Sequence, residues 1–145
     1  EIGWSNIITI GDYTINAFFR GAFGHSLVNT FRAFYEPRVG SQKSYNYINT
    51  ELANPEIKNA NFSSLYVEEA DFFKLDNLTI SRPIRDNINL SFTVRNAFVV
   101  TDYTGSNPEP ALFDLLDGNQ LAPGLDRRNS YYDSRSFTLG LNIKF

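Results

Sequence analysis

Phe137-Thr138-Leu139-Gly140-Leu141-Asn142-Ile143-Lys144-Phe145 is the stretch that decides the fold. Along a β-strand, successive side chains project to opposite faces. Phe137, Leu139, Leu141, Ile143 and Phe145 therefore share one face, while Thr138, Gly140, Asn142 and Lys144 share the other. The first face is wholly apolar and ends on an aromatic ring. Strands of soluble sheets also alternate, but in a wall that crosses lipid the pattern has a direct cause. The apolar face meets acyl chains, the polar face meets a watery lumen, and an aromatic residue sits at the interface.

Working outward, four more stretches read the same way. Trp4, Ile8 and Ile10 lie on one face of a first strand, with Asn6 interrupting. Gly11-Asp12 then gives a two-residue hairpin loop, in the order that suits a turn with Gly at its first central position. The return strand sets Tyr13, Ile15, Ala17 and Phe19 against Thr14, Asn16, Phe18 and Arg20. Further on, Phe73 and Leu75 fall on one parity and Leu78 and Ile80 on the other; a β-bulge near Asp76-Asn77 would bring them back into phase. Residues 82–87, punctuated by Pro83, read as a short turn. Ile88, Leu90, Phe92, Val94, Phe98 and Val100 then face one side, interrupted by Asn96, and Asn89, Ser91, Thr93, Arg95 and Thr101 face the other. That length suits a tilted strand crossing a hydrocarbon layer, which takes about 9–11 residues. The predicted strands are thus 3–10, 13–22, 72–81, 88–101 and 135–145. Residues 21–70 and 102–134 read as two long polar loops, the first with a helical turn or two between His25 and Tyr35.

Composition narrows the function classes. A net charge of -3 gives no reason to expect nucleic acid or an anionic surface as partner. With no Cys and one His, disulfides, thiolate metal sites and His-rich metal sites are excluded. No cofactor is expected. No apolar run is long enough for a transmembrane helix, which leaves strands untouched, because their alternation averages out in any hydropathy window. The chain carries no Met, so it is expected to be a C-terminal piece of something longer.

Connections alternate short, long, short, long, as in outer-membrane barrels with short periplasmic turns and long extracellular loops. Five antiparallel strands leave two open edges, and unpaired edge amides in lipid cost several kcal/mol each. The remaining strands of the ring are expected from outside these residues.

Several motifs resemble one family. Tyr66-Val67-Glu68-Glu69-Ala70-Asp71-Phe72-Phe73-Lys74-Leu75-Asp76-Asn77-Leu78-Thr79-Ile80, closed by Pro83, is similar to a segment near the end of SusC/RagA-type TonB-dependent transporters. So are Asn96-Ala97-Phe98, Thr101-Asp102-Tyr103-Thr104-Gly105, Asn107-Pro108-Glu109 and the closing Arg135 to Asn142. Gly24-His25 and Asn29-Thr30-x-Arg32 resemble an upstream strand–loop junction of the family. Ala70-Asp71, Ser81-Arg82 and Asn107 depart from it, where Gly-Ser, Gly-Tyr and Asp are usual. The resemblance implies an all-β fold: the last five antiparallel strands of a transmembrane β-barrel of about 22 strands, with two long extracellular loops. It implies a bacterial outer-membrane location, with the C-terminus periplasmic. It also implies import of glycans or peptides. The implied partners are the N-terminal barrel and plug, a SusD-like surface lipoprotein, TonB acting through the plug, and the lipid bilayer. Phe137, Leu139, Leu141, Ile143 and Phe145 would serve as the C-terminal outer-membrane insertion signal.

Catalytic chemistry finds little support. Glu68-Glu69 and Asp114 with Asp117 are expected to be solvated loop charge, with no His or nucleophile beside them, so the protein is read as a non-enzyme. Ligand contact is expected from loop side chains: Tyr45, Tyr47, Tyr131 and Tyr132, with Arg127 and Arg128, can stack on sugar rings or pair with peptide carboxylates. The same residues could instead pack loops together or against the lipoprotein lid. Arg20, Arg95 and Lys144, on the lumen side, are expected to meet carboxylates of the plug. The competing reading is a soluble glycan-binding β-sandwich, whose apolar face would be matched by a second sheet.

Overall fold

A computed structural model describes residues 1–37, 48–59, 61–110, 124–128 and 131–145. In chain order the elements are β1 (Ile2–Ile10), β2 (Tyr13–Ala22), β3 (Ser26–Asn29), helix α1 (Thr30–Tyr35), a 3-10 turn (Ser64–Tyr66), β4 (Val67–Glu69), β5 (Phe72–Arg85), β6 (Ile88–Thr101), β7 (Leu125–Asp126) and β8 (Ser136–Ile143). They form two compact units. A sheet unit comprises Glu1–Phe23, Asp71–Thr101 and Asp133–Phe145, and a loop unit comprises Gly24–Ala70 and Asp102–Tyr132.

The sheet unit is one antiparallel sheet in the order β1-β2-β5-β6-β8, with β1 and β8 as its two edges. Residues paired across neighbouring strands share a face. Trp4, Phe19, Leu75 and Phe98 make one such row, and Ala17, Leu78, Val94 and Phe137 another. Ile8, Ile15, Ile80, Phe92 and Leu139 make a third. The opposite face carries rows such as Asn16, Thr79, Thr93 and Thr138, in which the Thr79 and Thr93 hydroxyls lie 2.9 Å apart. Side chains of the apolar face are left open among the described residues: Leu139 is 73 % exposed and Ile10 63 %. A sandwich would have buried both.

Two devices hold this pattern in register. Gly11 has φ 58°, a left-handed value that glycine adopts without Cβ strain, and closes the two-residue loop beyond the Ile10–Tyr13 pair. The bulge lies at Asp76, which has no counterpart on β2: Phe18 pairs with Asn77 and Phe19 with Leu75. On the other side, Asn96 and Ala97 together stand opposite Asp76, and Asn96 takes φ 49°, which the short amide side chain tolerates. The extra residue returns Phe73 and Leu75 to the face of Leu78 and Ile80. Its carboxylate accepts from Arg20 Nε at 2.7 Å and lies 3.7 Å from Lys74 Nζ. Arg20, expected to face a plug carboxylate, thus finds an acid in its own sheet.

The sequence placed a turn over residues 82–87, but β5 runs on to Arg85, and the turn narrows to Asp86-Asn87. Pairing with β2 stops at Ser81, so Pro83 sits where β5 has a neighbour on one side only. A missing N–H is tolerated there. A second register shift between Pro83 and Arg85 absorbs the ring.

The segment 21–70, expected as one long loop with a helical turn or two between His25 and Tyr35, holds α1 within that interval and, beyond the expectation, β3, the 3-10 turn and β4. In the loop unit β3 pairs antiparallel with β4 and parallel with β7, around a small core of Leu27, Ala70 and Tyr103. Strands of two to four residues give too few repeats for alternation to be read. Among the described residues no helix is long and apolar enough to cross a membrane.

Deleting Asp76 should throw Phe73 and Leu75 onto the polar face and abolish assembly of the full-length protein. Asp76→Asn keeps the bulge and loses only the partly exposed charge contacts with Arg20 and Lys74, so denaturant unfolding should detect a cost on the order of 1 kcal/mol.

Candidate functional site

The loop unit gathers a buried polar cluster from four separate stretches. Asn29 caps α1: its side-chain oxygen accepts from Arg32 N at 3.1 Å, which satisfies an otherwise unpaired first-turn amide. Its amide nitrogen donates to Glu68 Oε1 at 3.2 Å and Thr104 Oγ1 at 3.3 Å. One turn into α1, Arg32 donates from Nε to Glu36 Oε1 at 2.7 Å and from Nη1 to Glu68 Oε1 at 2.6 Å. The guanidinium also lies 5.8 Å from the centre of the Tyr66 ring. Thr50 donates to Glu36 Oε1 at 2.6 Å. The second Glu68 oxygen accepts from Thr104 N at 3.1 Å and Thr104 Oγ1 at 2.6 Å. Glu68 was expected to be solvated charge; instead its carboxylate ties α1 to the segment after β6. Glu69 is exposed, as expected. Asp114 and Asp117 lie outside the described residues.

A second clamp centres on Asp126, which is almost wholly buried. Its carboxylate accepts from Tyr103 Oη at 2.9 Å, Ser106 N at 2.8 Å and Ser106 Oγ at 2.7 Å. Its backbone carbonyl accepts from Thr30 Oγ1 at 2.7 Å. Gly105 passes so close that a Cβ there would overlap Asp126 Oδ2 and the Tyr103 ring.

Titration follows from these contacts. Burial raises the Tyr103 pKa well above the usual phenol range, and the Asp126 carboxylate that takes its hydrogen bond raises it further. Burial works against the Glu68 carboxylate, but hydrogen bonds from Thr104 and Arg32 outweigh it and lower its pKa. Burial likewise opposes the Arg32 charge, and its bonds to Glu36 and Glu68 more than restore it.

Beside the first cluster lies a cleft of about 370 Å³. Arg127, Arg128 and Tyr132 line it with Phe31, Glu36 and Leu52. The Arg128 guanidinium sits 4.4 Å from the centre of the Phe34 ring. Tyr131 is exposed and does not line the cleft, and Tyr45 and Tyr47 lie outside the described residues. Sequence reasoning missed Asn29, Glu36, Thr104, Ser106 and Asp126. A signal existed, since Asn29-Thr30-x-Arg32, Tyr66-Val67-Glu68 and Thr101 to Gly105 were singled out as family-like, and these are segments that converge here.

No family model matches the chain. It is 26 % identical over 165 aligned positions to TonB-dependent receptor P3 of Formosa agariphila, an alignment covering 99 % of this chain and 16 % of that protein. It is 29 % identical over 110 positions to TonB-dependent receptor P39 of the same organism, across 66 % of this chain and 10 % of the relative. The chain therefore spans a minor part of the curated relatives it matches. Homologues of this chain are thus TonB-dependent receptors, which are proteins of the outer membrane. Among solved structures, the RagAB peptide transporter matches with a TM-score of 0.71 and 20 % identity over 99 % of this chain and 17 % of that chain. The RagAB peptide importer in its closed-closed state gives 0.70 and 19 % over the same shares. At that identity the match is one of fold alone. These relatives are receptors and transporters by name, not enzymes.

Two outcomes check the clamps in the full-length protein. The raised Tyr103 pKa means its contribution to stability is fully present below the ordinary phenol value of 10.0 and is lost as pH rises above it. The lowered Glu68 pKa contributes above the ordinary carboxylate range and is lost as pH falls through the lowered value. Hydrogen-exchange protection of the β3 amides should hold at neutral pH and fall above about pH 10. Tyr103→Phe should flatten that alkaline fall while costing about 1–3 kcal/mol, because buried Asp126 loses a donor. Separately, Gly105→Ala should open the Asp126 clamp, read as protease sensitivity near Ser106 with the sheet unit still protected.

Proposed function

We propose that this chain is a wall segment of a TonB-dependent outer-membrane transporter that imports glycans or peptides together with a SusD-like surface lipoprotein. The observation that carries this reading is the sheet unit: an apolar face with exposed Ile8, Ile10, Phe92, Leu139 and Leu141, a largely polar opposite face, and two edge strands without a further partner among the described residues. Such a sheet is stable in hydrocarbon only when further strands close it into a barrel and lipid covers its outer face. The rest of the barrel and the plug would supply the missing strands and the lumen filling, and TonB would act through the plug. The short turns at Gly11-Asp12 and Asp86-Asn87 would face the periplasm, with the loop unit outside the cell. In this setting Phe137, Leu139, Leu141, Ile143 and Phe145 present the terminal apolar face that directs insertion. The structural neighbours are a peptide transporter and a peptide importer, which favours the peptide branch.

For the loop unit, the fitting role is contact with the imported molecule or the lipoprotein. Arg127, Arg128 and Tyr132 at the cleft supply guanidinium forks and a ring suited to carboxylates and apolar side chains. Tyr131, exposed beside them in sequence, would add the same chemistry, and from sequence alone Tyr45 and Tyr47 are proposed as further contacts. The rigid Glu68 and Asp126 clamps would set where these side chains begin. A glycan-binding sandwich has less support, because its apolar face would need a protein cover.

The sequence has no Cys, so introduced thiols report cleanly on the wall. In intact outer membranes of cells producing the full-length protein, Leu139→Cys and Phe92→Cys should react with an apolar maleimide and resist a charged one. Thr138→Cys and Thr93→Cys should show the reverse. Equal reactivity of both sets with the charged reagent would refute the lipid-facing wall.

A further inference from the structure

Arg82 is out of place on the sheet. It pairs with Leu90, which pairs with Leu141, so it belongs to the apolar face. Tyr13, at the turn end of β2, shares that face through its pairing with Ile10 and lies beside Arg82. Arg82 Nη1 donates to the Tyr13 hydroxyl at 3.1 Å, and the guanidinium carbon sits 5.1 Å from the ring centre. Among the described residues no carboxylate lies within salt-bridge distance of Arg82. An exposed cation on an apolar face, steadied by an aromatic ring and left without an acid, calls for an anion from outside the protein.

Its height on the wall identifies that anion. Trp4, Phe19 and Phe73 stack across three strands at centroid separations of 5.2 and 5.6 Å, forming an aromatic row near the loop end of the sheet. Arg82 lies nine residues beyond Phe73 on β5, with the Asp76 bulge between. At about 3.3 Å per residue and a tilt of 35–45°, the vertical rise is roughly 20–24 Å, close to the ~25 Å apolar band of an outer-membrane wall. If the aromatic row marks one headgroup level, Arg82 and Tyr13 stand at the other. A phosphate diester occupies that level, and a guanidinium fork matches its paired oxygens.

We propose that Arg82, stacked on Tyr13, docks the phosphate of an anionic phospholipid in the leaflet at the turn end of the sheet. This rests on the membrane-wall reading above. The charge left uncompensated by protein favours phosphatidylglycerol over phosphatidylcholine, whose choline brings its own cation. One exposed guanidinium is worth about a fivefold local preference.

The test uses the full-length transporter in nanodiscs of phosphatidylcholine containing a photoactivatable phosphatidylglycerol. Cross-links should concentrate on peptides holding Tyr13 and Arg82, fall about fivefold in Arg82→Gln, and persist in Arg95→Gln on the opposite face. In the wild type the preference over a photoactivatable phosphatidylcholine should shrink with added salt, which keeps the test alive should Arg82→Gln not assemble. Equal cross-linking of the two lipids, or no change in Arg82→Gln, would overturn the proposal. Preferential capture of a lipid A probe would overturn it too, by placing another phosphate at the site. Cysteine labelling of Leu139 and Thr138 reports separately on the wall, so loss of the lipid site and loss of the membrane reading are distinguishable.

Discussion

The single extra residue at Asp76 keeps three strands in phase. A sheet has one apolar face only if every strand presents its apolar residues on the same side, and the side-chain period of two leaves no intermediate setting. Without the bulge, the loop-end half of β5 would turn Phe73 and Leu75 inward and Lys74 outward. With it, Phe19, Leu75 and Phe98 meet in one row, as do Ala17, Leu78 and Val94. The left-handed Asn96 opposite the bulge lets β6 follow without breaking the ladder. The carboxylate released by the bulge draws in Arg20 and Lys74, so the polar face gains a small charged centre at the same point.

The two units solve different problems. The sheet unit has long strands and few buried side chains, because much of its apolar face is left exposed. The loop unit is held by polar groups: Glu68 and Asp126 each collect donors from segments distant in sequence. Asp126 is almost wholly buried and Glu68 partly so; carboxylates removed from water are costly unless well bonded, and here each has at least three donors. Such a cluster fixes one arrangement of short elements that a small apolar core alone would leave underdetermined.

From sequence alone came the five long strands, the apolar residues that share a face, the hairpin at Gly11-Asp12 and the bulge position. All of these rest on period-two alternation or local turn chemistry, which need no knowledge of distant residues. The resemblance to SusC/RagA-type transporters was legible for a similar reason, because its motifs are contiguous. Tertiary structure alone decided the extent of β5 past Pro83, since proline's cost depends on whether β2 still pairs alongside. It also decided that Glu68 is bonded rather than solvated, and that Asn29, Thr104, Tyr103 and Asp126 converge. Those partners are separated by 23 to 75 residues, and nothing in a local pattern records which carboxylate a distant hydroxyl will find.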